Sequence, residues 1–164
     1  MMIVDEFLKA LQSEVDNNSI YVWGGQGEMT RNLAITNLER METSKTNVKR
    51  ILKHVADIYD ASKGLENSRA FDCSGLLTYH LLRMRLITSD TTADGLLKKC
   101  TKINKKDLRP GDFVFKVNNE GRAVHVACYK GDGVLIEAVG RDEGVKNTKL
   151  TTKFNRYGRL KAFE

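Results

Sequence analysis

Cysteine is scarce in this chain of 164 residues: Cys73, Cys100 and Cys128 are the only three, far apart and with no paired C-x-x-C. An odd number at such spacings argues against a disulfide framework and against a structural zinc site. No apolar run approaches the length needed to cross a bilayer, so a membrane partner is not expected. The opening Met1-Met2-Ile3-Val4-Asp5-Glu6 puts acidic residues where a secretory signal carries a basic region and a long apolar stretch. Synthesis in the cytoplasm is therefore expected, with delivery by some other agent if the protein acts elsewhere. Basic stripes interleaved with aromatics are also missing, which sets nucleic acid aside.

What is present fits one compact domain. The length allows a substantial core but not two domains of ordinary size, and 41% hydrophobic with 29% charged residues is the balance of a globular protein. A monomer is the expectation. The formal charge of +6 favours an anionic partner, and acidic polymers of a cell envelope qualify.

Along the chain, helical periodicity comes first and strand patterning later. Residues Ile3 to Val15 put Ile3, Val4, Phe7, Leu8 and Leu11 on one face, which predicts an amphipathic helix ended by Asn17-Asn18-Ser19. Ile20-Tyr21-Val22-Trp23-Gly24-Gly25-Gln26-Gly27-Glu28 reads as a glycine-rich loop lining a cleft. From 29 to 70 the chain is expected to be largely helical, most clearly from Asn47, where Val48, Ile51, Leu52, Val55 and Ile58 recur. Leu108-Arg109-Pro110-Gly111-Asp112 holds the single proline and predicts a type II turn. Phe113 to Val117, Ala123 to Tyr129 and Val134 to Val139 then read as an antiparallel meander. The fold class is α+β: N-terminal helices packed on a C-terminal antiparallel sheet, with a helical insertion.

The chemistry centres on Phe71-Asp72-Cys73-Ser74-Gly75-Leu76-Leu77. Apolar residues at helical spacing follow the thiol, so Cys73 falls at a helix N-terminus with Asp72 as its cap, and the free N–H groups there favour a thiolate. A nucleophilic thiol needs a base. Of three histidines, His54 falls beside an apolar helical stripe, and His80 lies roughly 10 Å along the Cys73 helix, out of reach and expected at a boundary. His125 remains, centred in a strand. With a three-residue loop Lys130-Gly131-Asp132, Tyr129 opposes Gly133 and His125 stands directly opposite Glu137, whereas a two-residue loop puts them on opposite faces. Glu137 is a lone carboxylate among apolar neighbours and needs a partner if buried. Cys73, His125 and Glu137 thus have the parts of a nucleophile, a base and a base-orienting acceptor.

These stretches taken together, Tyr21-Val22-Trp23-Gly24-Gly25, Phe71-Asp72-Cys73-Ser74-Gly75-Leu76, Leu108 to Phe115, and His125-Val126 with Tyr129 and Gly131-Asp132-Gly133, resemble the NlpC family of papain-like cysteine peptidases. The resemblance runs from Tyr21 to about Val145. It implies a papain-like fold over 1–164 and a peptidoglycan endopeptidase that cuts stem peptides, commonly between D-glutamate and a diamino acid, without metal or cofactor. It assigns Cys73 as nucleophile and His125 as base, with Tyr21, Asp72 and Ser74 facing substrate. Trp23, in the cleft-lining glycine-rich run, is expected as a further substrate contact. Glu137 stands where relatives most often have a histidine. The segment from Glu137 to Val145, with Asn155-Arg156-Tyr157-Gly158, resembles wall hydrolases of phages and prophages. Relatives also join the Gly-Gly to the Asp-Cys by a short connection, where this chain inserts roughly forty residues, longer than an ordinary loop. An amidase or acyltransferase using the same thiol, or a non-catalytic wall-binding phage component, is the alternative.

Overall fold

The computed structural model describes residues 2–61 and 63–164. Met1, and Ser62 within the stretch expected to be helical, lie outside the described residues. Helix α1 (Met2–Asp16) buries Phe7 and Leu11. It stops where Asn18 takes a left-handed conformation at φ 57°, which asparagine adopts more readily than most residues. Ile3, expected on the packed face, is 46% exposed, while Phe7, about one turn further along, is buried.

The glycine-rich run is not simply a loop. Its ends form β1 (Ile20–Tyr21) and β2 (Gln26–Met29), which sandwich β3 (Arg69–Phe71) in a three-stranded sheet ordered β1-β3-β2, with β1 parallel to β3. The inserted segment therefore departs from the largely helical expectation at both ends. It contains α2 (Ile35–Met41) and α3 (Lys45–Asp60), but it begins on a strand and a 3-10 turn and ends on β3. The reason is tertiary: Thr30 and Ser68 hydroxyls meet at 2.7 Å and close the segment's two ends together, and Ser68 accepts the Thr30 N–H on its carbonyl at 2.9 Å. Ser44 caps α3 by accepting the Asn47 N–H at 3.3 Å. Val48, Ile51 and Ile58 then pack with Leu38, Ile20, Val22 and Ala70 in a small core of their own.

Helix α4 (Cys73–Arg83) buries Leu76, Leu77 and Leu81, and α5 (Ala93–Lys99) follows it. His80, expected at a boundary, is buried, with Nε2 3.3 Å from Glu14 Oε1, because α1 packs across α4 at that turn. The second sheet has six strands in the order β4-β9-β5-β6-β7-β8, namely β4 (Cys100–Ile103), β5 (Phe113–Val117), β6 (Ala123–Gly131), β7 (Val134–Gly140), β8 (Gly144–Lys149) and β9 (Arg156–Leu160). Strands β5, β6 and β7 match the expected meander, whereas β4, β8 and β9 are polar stretches that pairing rather than pattern makes into strands. The turn before β5 has the expected form: Gly111 sits at φ 98° and the Asp112 N–H donates to Arg109 O at 3.0 Å. Phe113, Phe115, Val126, Cys128, Ile136 and Ala138 face α1 and α4 in the main core. Val114, Ala127 and Leu135 face the other way, under Phe154.

Candidate active site

Asp72 builds the start of α4. Its Oδ1 accepts the Gly75 N–H at 2.7 Å and lies 3.3 Å from Ser74 Oγ, while Oδ2 accepts the Gly24 N–H at 3.1 Å. The Asp72 N–H in turn donates to Gly25 O at 3.1 Å. One carboxylate thus caps the helix and fastens the glycine-rich run against it. Burial raises the Asp72 pKa, and the three donors oppose that shift without cancelling it. Cys73 is the first residue of the helix and is partly buried. The close contact explains Gly75: a Cβ there would stand 2.1 Å from Gly25 O and 2.8 Å from Asp72 Oδ1.

His125 is brought to the thiol from the sheet. Its Nε2 lies 2.9 Å from Glu137 Oε2, which leaves Nδ1 as the ring nitrogen not engaged by the carboxylate. Burial favours the neutral ring, but the neighbouring Cys73 and Glu137 outweigh it and raise the imidazole pKa to about 9. Glu137 is 2% exposed. Burial pushes its pKa up, yet His125, Lys153 and Thr148 together hold it below the usual carboxylate value. Its other oxygen accepts the Thr148 hydroxyl at 3.1 Å, with Lys153 Nζ 3.9 Å away. The Phe154 ring, 5.9 Å from the imidazole, shields the pair's apolar side.

The route by which His125 and Glu137 meet differs from the expected hairpin. The loop is the two residues Asp132-Gly133, at φ 52° and 74°, closed by Gly131 opposite Val134. Alone, that loop would put the two side chains on opposite faces. A bulge at Lys130 sets Tyr129 against Leu135 and Cys128 against Ile136, and the extra residue restores the shared face. The two are diagonal rather than directly opposed, since the same register carries Glu137 to Ala127.

Tyr21 comes to the site on β1. Its phenol pKa is raised to about 12, first by burial and then by nearby Cys73 and Asp72, so the hydroxyl is a donor throughout the ordinary pH range. Trp23 is 58% exposed, on the loop that follows β1 rather than in the core. Two neighbours had no visible role in the sequence: Arg141, whose guanidinium lies 5.2 Å above the Tyr21 ring, and its partner Glu42 from the insert. Thr148 and Lys153 around Glu137 were likewise not legible, because short polar residues in an unrecognised strand and loop carry no pattern.

The NlpC/P60 family model matches residues 58–162, more than half of the chain and all three residues of this cluster. The chain belongs to the NlpC/P60 family. It is 36% identical over 94 residues to a probable endopeptidase p60 of Listeria seeligeri, covering 57% of this chain and 17% of that protein. With the probable endopeptidase YafL of Escherichia coli it shares 30% over 94 residues, covering 56% and 38%. The chain thus spans well under half the length of these relatives. Among solved structures it is similar over 98% of its length to RipD of Mycobacterium tuberculosis, described as a non-catalytic NlpC/p60 domain protein, with TM-score 0.64, 21% identity and 98% of that chain covered. The P60 domain of M. avium subspecies paratuberculosis antigen MAP1204 gives TM-score 0.63 at 18% identity, covering 98% of this chain and 95% of that one. These two likenesses speak for the α+β NlpC/P60 fold.

Proposed function

We propose that the protein is a peptidoglycan hydrolase of the cysteine endopeptidase type, cutting stem peptides at the bond from D-glutamate to a diamino acid. The observation that carries this reading is the 2.9 Å contact of His125 Nε2 with the buried Glu137 carboxylate, on a ring whose pKa is also raised by Cys73, the first residue of α4. Family membership and relatives named endopeptidases support it.

In this mechanism His125 Nδ1 takes the Cys73 proton, and the buried Glu137 carboxylate fixes the ring and offsets the imidazolium charge. The sulfur attacks the scissile carbonyl, and the Cys73 backbone N–H, unpaired at a helix start, donates to the developing oxyanion. The imidazolium returns its proton to the leaving amine. Water, deprotonated by the same ring, then cleaves the thioester and releases the carboxylate product. Tyr21, Trp23, Asp72 and Ser74 face the stem peptide, with Asp72 as the acceptor suited to its amino end. The action is at a bacterial wall after release or delivery, in a phage or prophage setting, and anionic wall polymers are a second partner suited to the positive charge.

Digestion of purified peptidoglycan followed by mass analysis tests the reading. New amino ends inside stem peptides support it. Peptides freed from the sugar would make the protein an amidase, and an unchanged wall would leave a binding role like that stated for RipD.

A further inference from the structure

Glu42 ends α2 inside the inserted segment, is 2% exposed, and is fully engaged. Its Oε1 accepts Arg141 Nη2 at 2.7 Å, and its Oε2 accepts Arg141 Nε at 2.8 Å and the Trp23 backbone N–H at 3.2 Å. A buried carboxylate is costly unless such partners compensate it, and a bidentate guanidinium is the most directional partner available. Both partners lead to the cleft. The Trp23 N–H belongs to the run that carries Tyr21 and the exposed indole, and the Arg141 guanidinium lies over the Tyr21 ring. A single residue of the insert therefore holds two separate parts of the cleft wall, the β1–β2 loop and the β7–β8 turn.

We propose that Glu42 is a positioning residue for substrate, fixing Tyr21 and Trp23 through Arg141 and the Trp23 N–H, so that the insert is a working wall of the cleft. This rests on the hydrolase reading above for its substrate, a stem peptide with a free amino end. It gives the insert a role in binding and none in the chemical step, since Glu42 makes no contact with Cys73, His125 or Glu137 through these bonds. A pair that merely braced the fold would change stability and leave substrate affinity alone.

The chain's one tryptophan makes the test direct. In Glu42→Gln the guanidinium loses its counter-charge, and acrylamide quenching of Trp23 fluorescence should increase relative to the parent. With a stem tripeptide, KM should rise about tenfold or more while kcat stays within about threefold, as expected when positioning rather than chemistry is disturbed. The rate of Cys73 alkylation by iodoacetamide should not change. Arg141→Lys keeps the charge but loses the two-pronged geometry, and it should give the same KM shift if Glu42→Gln fails to fold. Parental quenching together with parental KM, or a loss confined to kcat, would overturn the proposal. If the parent chain cleaves no stem peptide, the hydrolase reading fails, while the Trp23 quenching in Glu42→Gln still decides whether Glu42 positions this wall.

Discussion

Glu137 reaches His125 diagonally across the β6–β7 hairpin at 2.9 Å, and one bulged residue makes the approach possible. Side chains alternate along a strand, so every one-residue change of register exchanges the two faces. The bulge at Lys130 makes that exchange once, after the tight Asp132-Gly133 turn has made it a first time. The carboxylate and the imidazole end on one face, next to Phe154, with the imidazole's second nitrogen left for the thiol.

Replacing the nucleophile gives the simplest prediction. Cys73→Ala should reduce peptidoglycan hydrolysis to background in the mass assay. Its unfolding free energy should stay within about 1 kcal/mol of the parent, because the side chain is partly exposed and the substitution is small. Hydrolysis by this variant would refute the mechanism.

Glu137→Gln keeps the shape and removes the charge that helps raise the imidazole pKa. A fall in kcat/KM of about a hundredfold is expected, in the range of a misoriented acid–base residue. The basic limb of the pH–rate profile should also move to lower pH, because the ion pair needs a protonated ring and that ring now loses its proton sooner. A fall in rate with the limb unmoved would mean that Glu137 shapes the site without tuning His125.

Stability should carry the same signature. The folded His125 ring titrates at about 9 against 6.5 in its ordinary state, so the folded protein holds this proton more tightly. The contribution is complete below pH about 6.5 and disappears as pH rises through about 9. Thermal midpoints measured across that window should fall with pH in the parent and fall less in His125→Ala. Equal slopes would show that the ring is not held as a stabilised cation.

Gly75→Ala tests the joint between α4 and the glycine-rich run. The new methyl would meet the Gly25 carbonyl and the Asp72 carboxylate, and the backbone cannot yield without breaking the cap. A loss of about 1–3 kcal/mol in denaturant unfolding is expected, typical of overpacking at a tight contact. Activity should fall with it, since Asp72 and Cys73 move together. Unchanged unfolding would show that the joint is looser than these contacts imply.

Several features are legible in the amino-acid sequence because they depend on neighbours along the chain. The Asp72 cap, the thiol at the first turn of α4, the Pro110-Gly111 turn and the alternation in β5, β6 and β7 are local, and local rules of capping, turn geometry and pleat suffice for them. The placement of His125 and Glu137 on one face was also anticipated, but by a three-residue loop where the chain uses a two-residue turn and a bulge. A bulge has no residue signature strong enough to read, since it depends on how β6 pairs with β5 and β7 together.

The amino-acid order by itself determined the family's ordered motifs, the helix-borne thiol and its candidate partners. Tertiary structure alone decided that the insert begins and ends on strands, that His80 is buried against Glu14, and that Glu42 grips Arg141 beside Tyr21. Those outcomes join residues as much as 99 positions apart. Their free energy comes from burying charge only where a partner arrives from elsewhere in the chain, and no local pattern encodes that arrival.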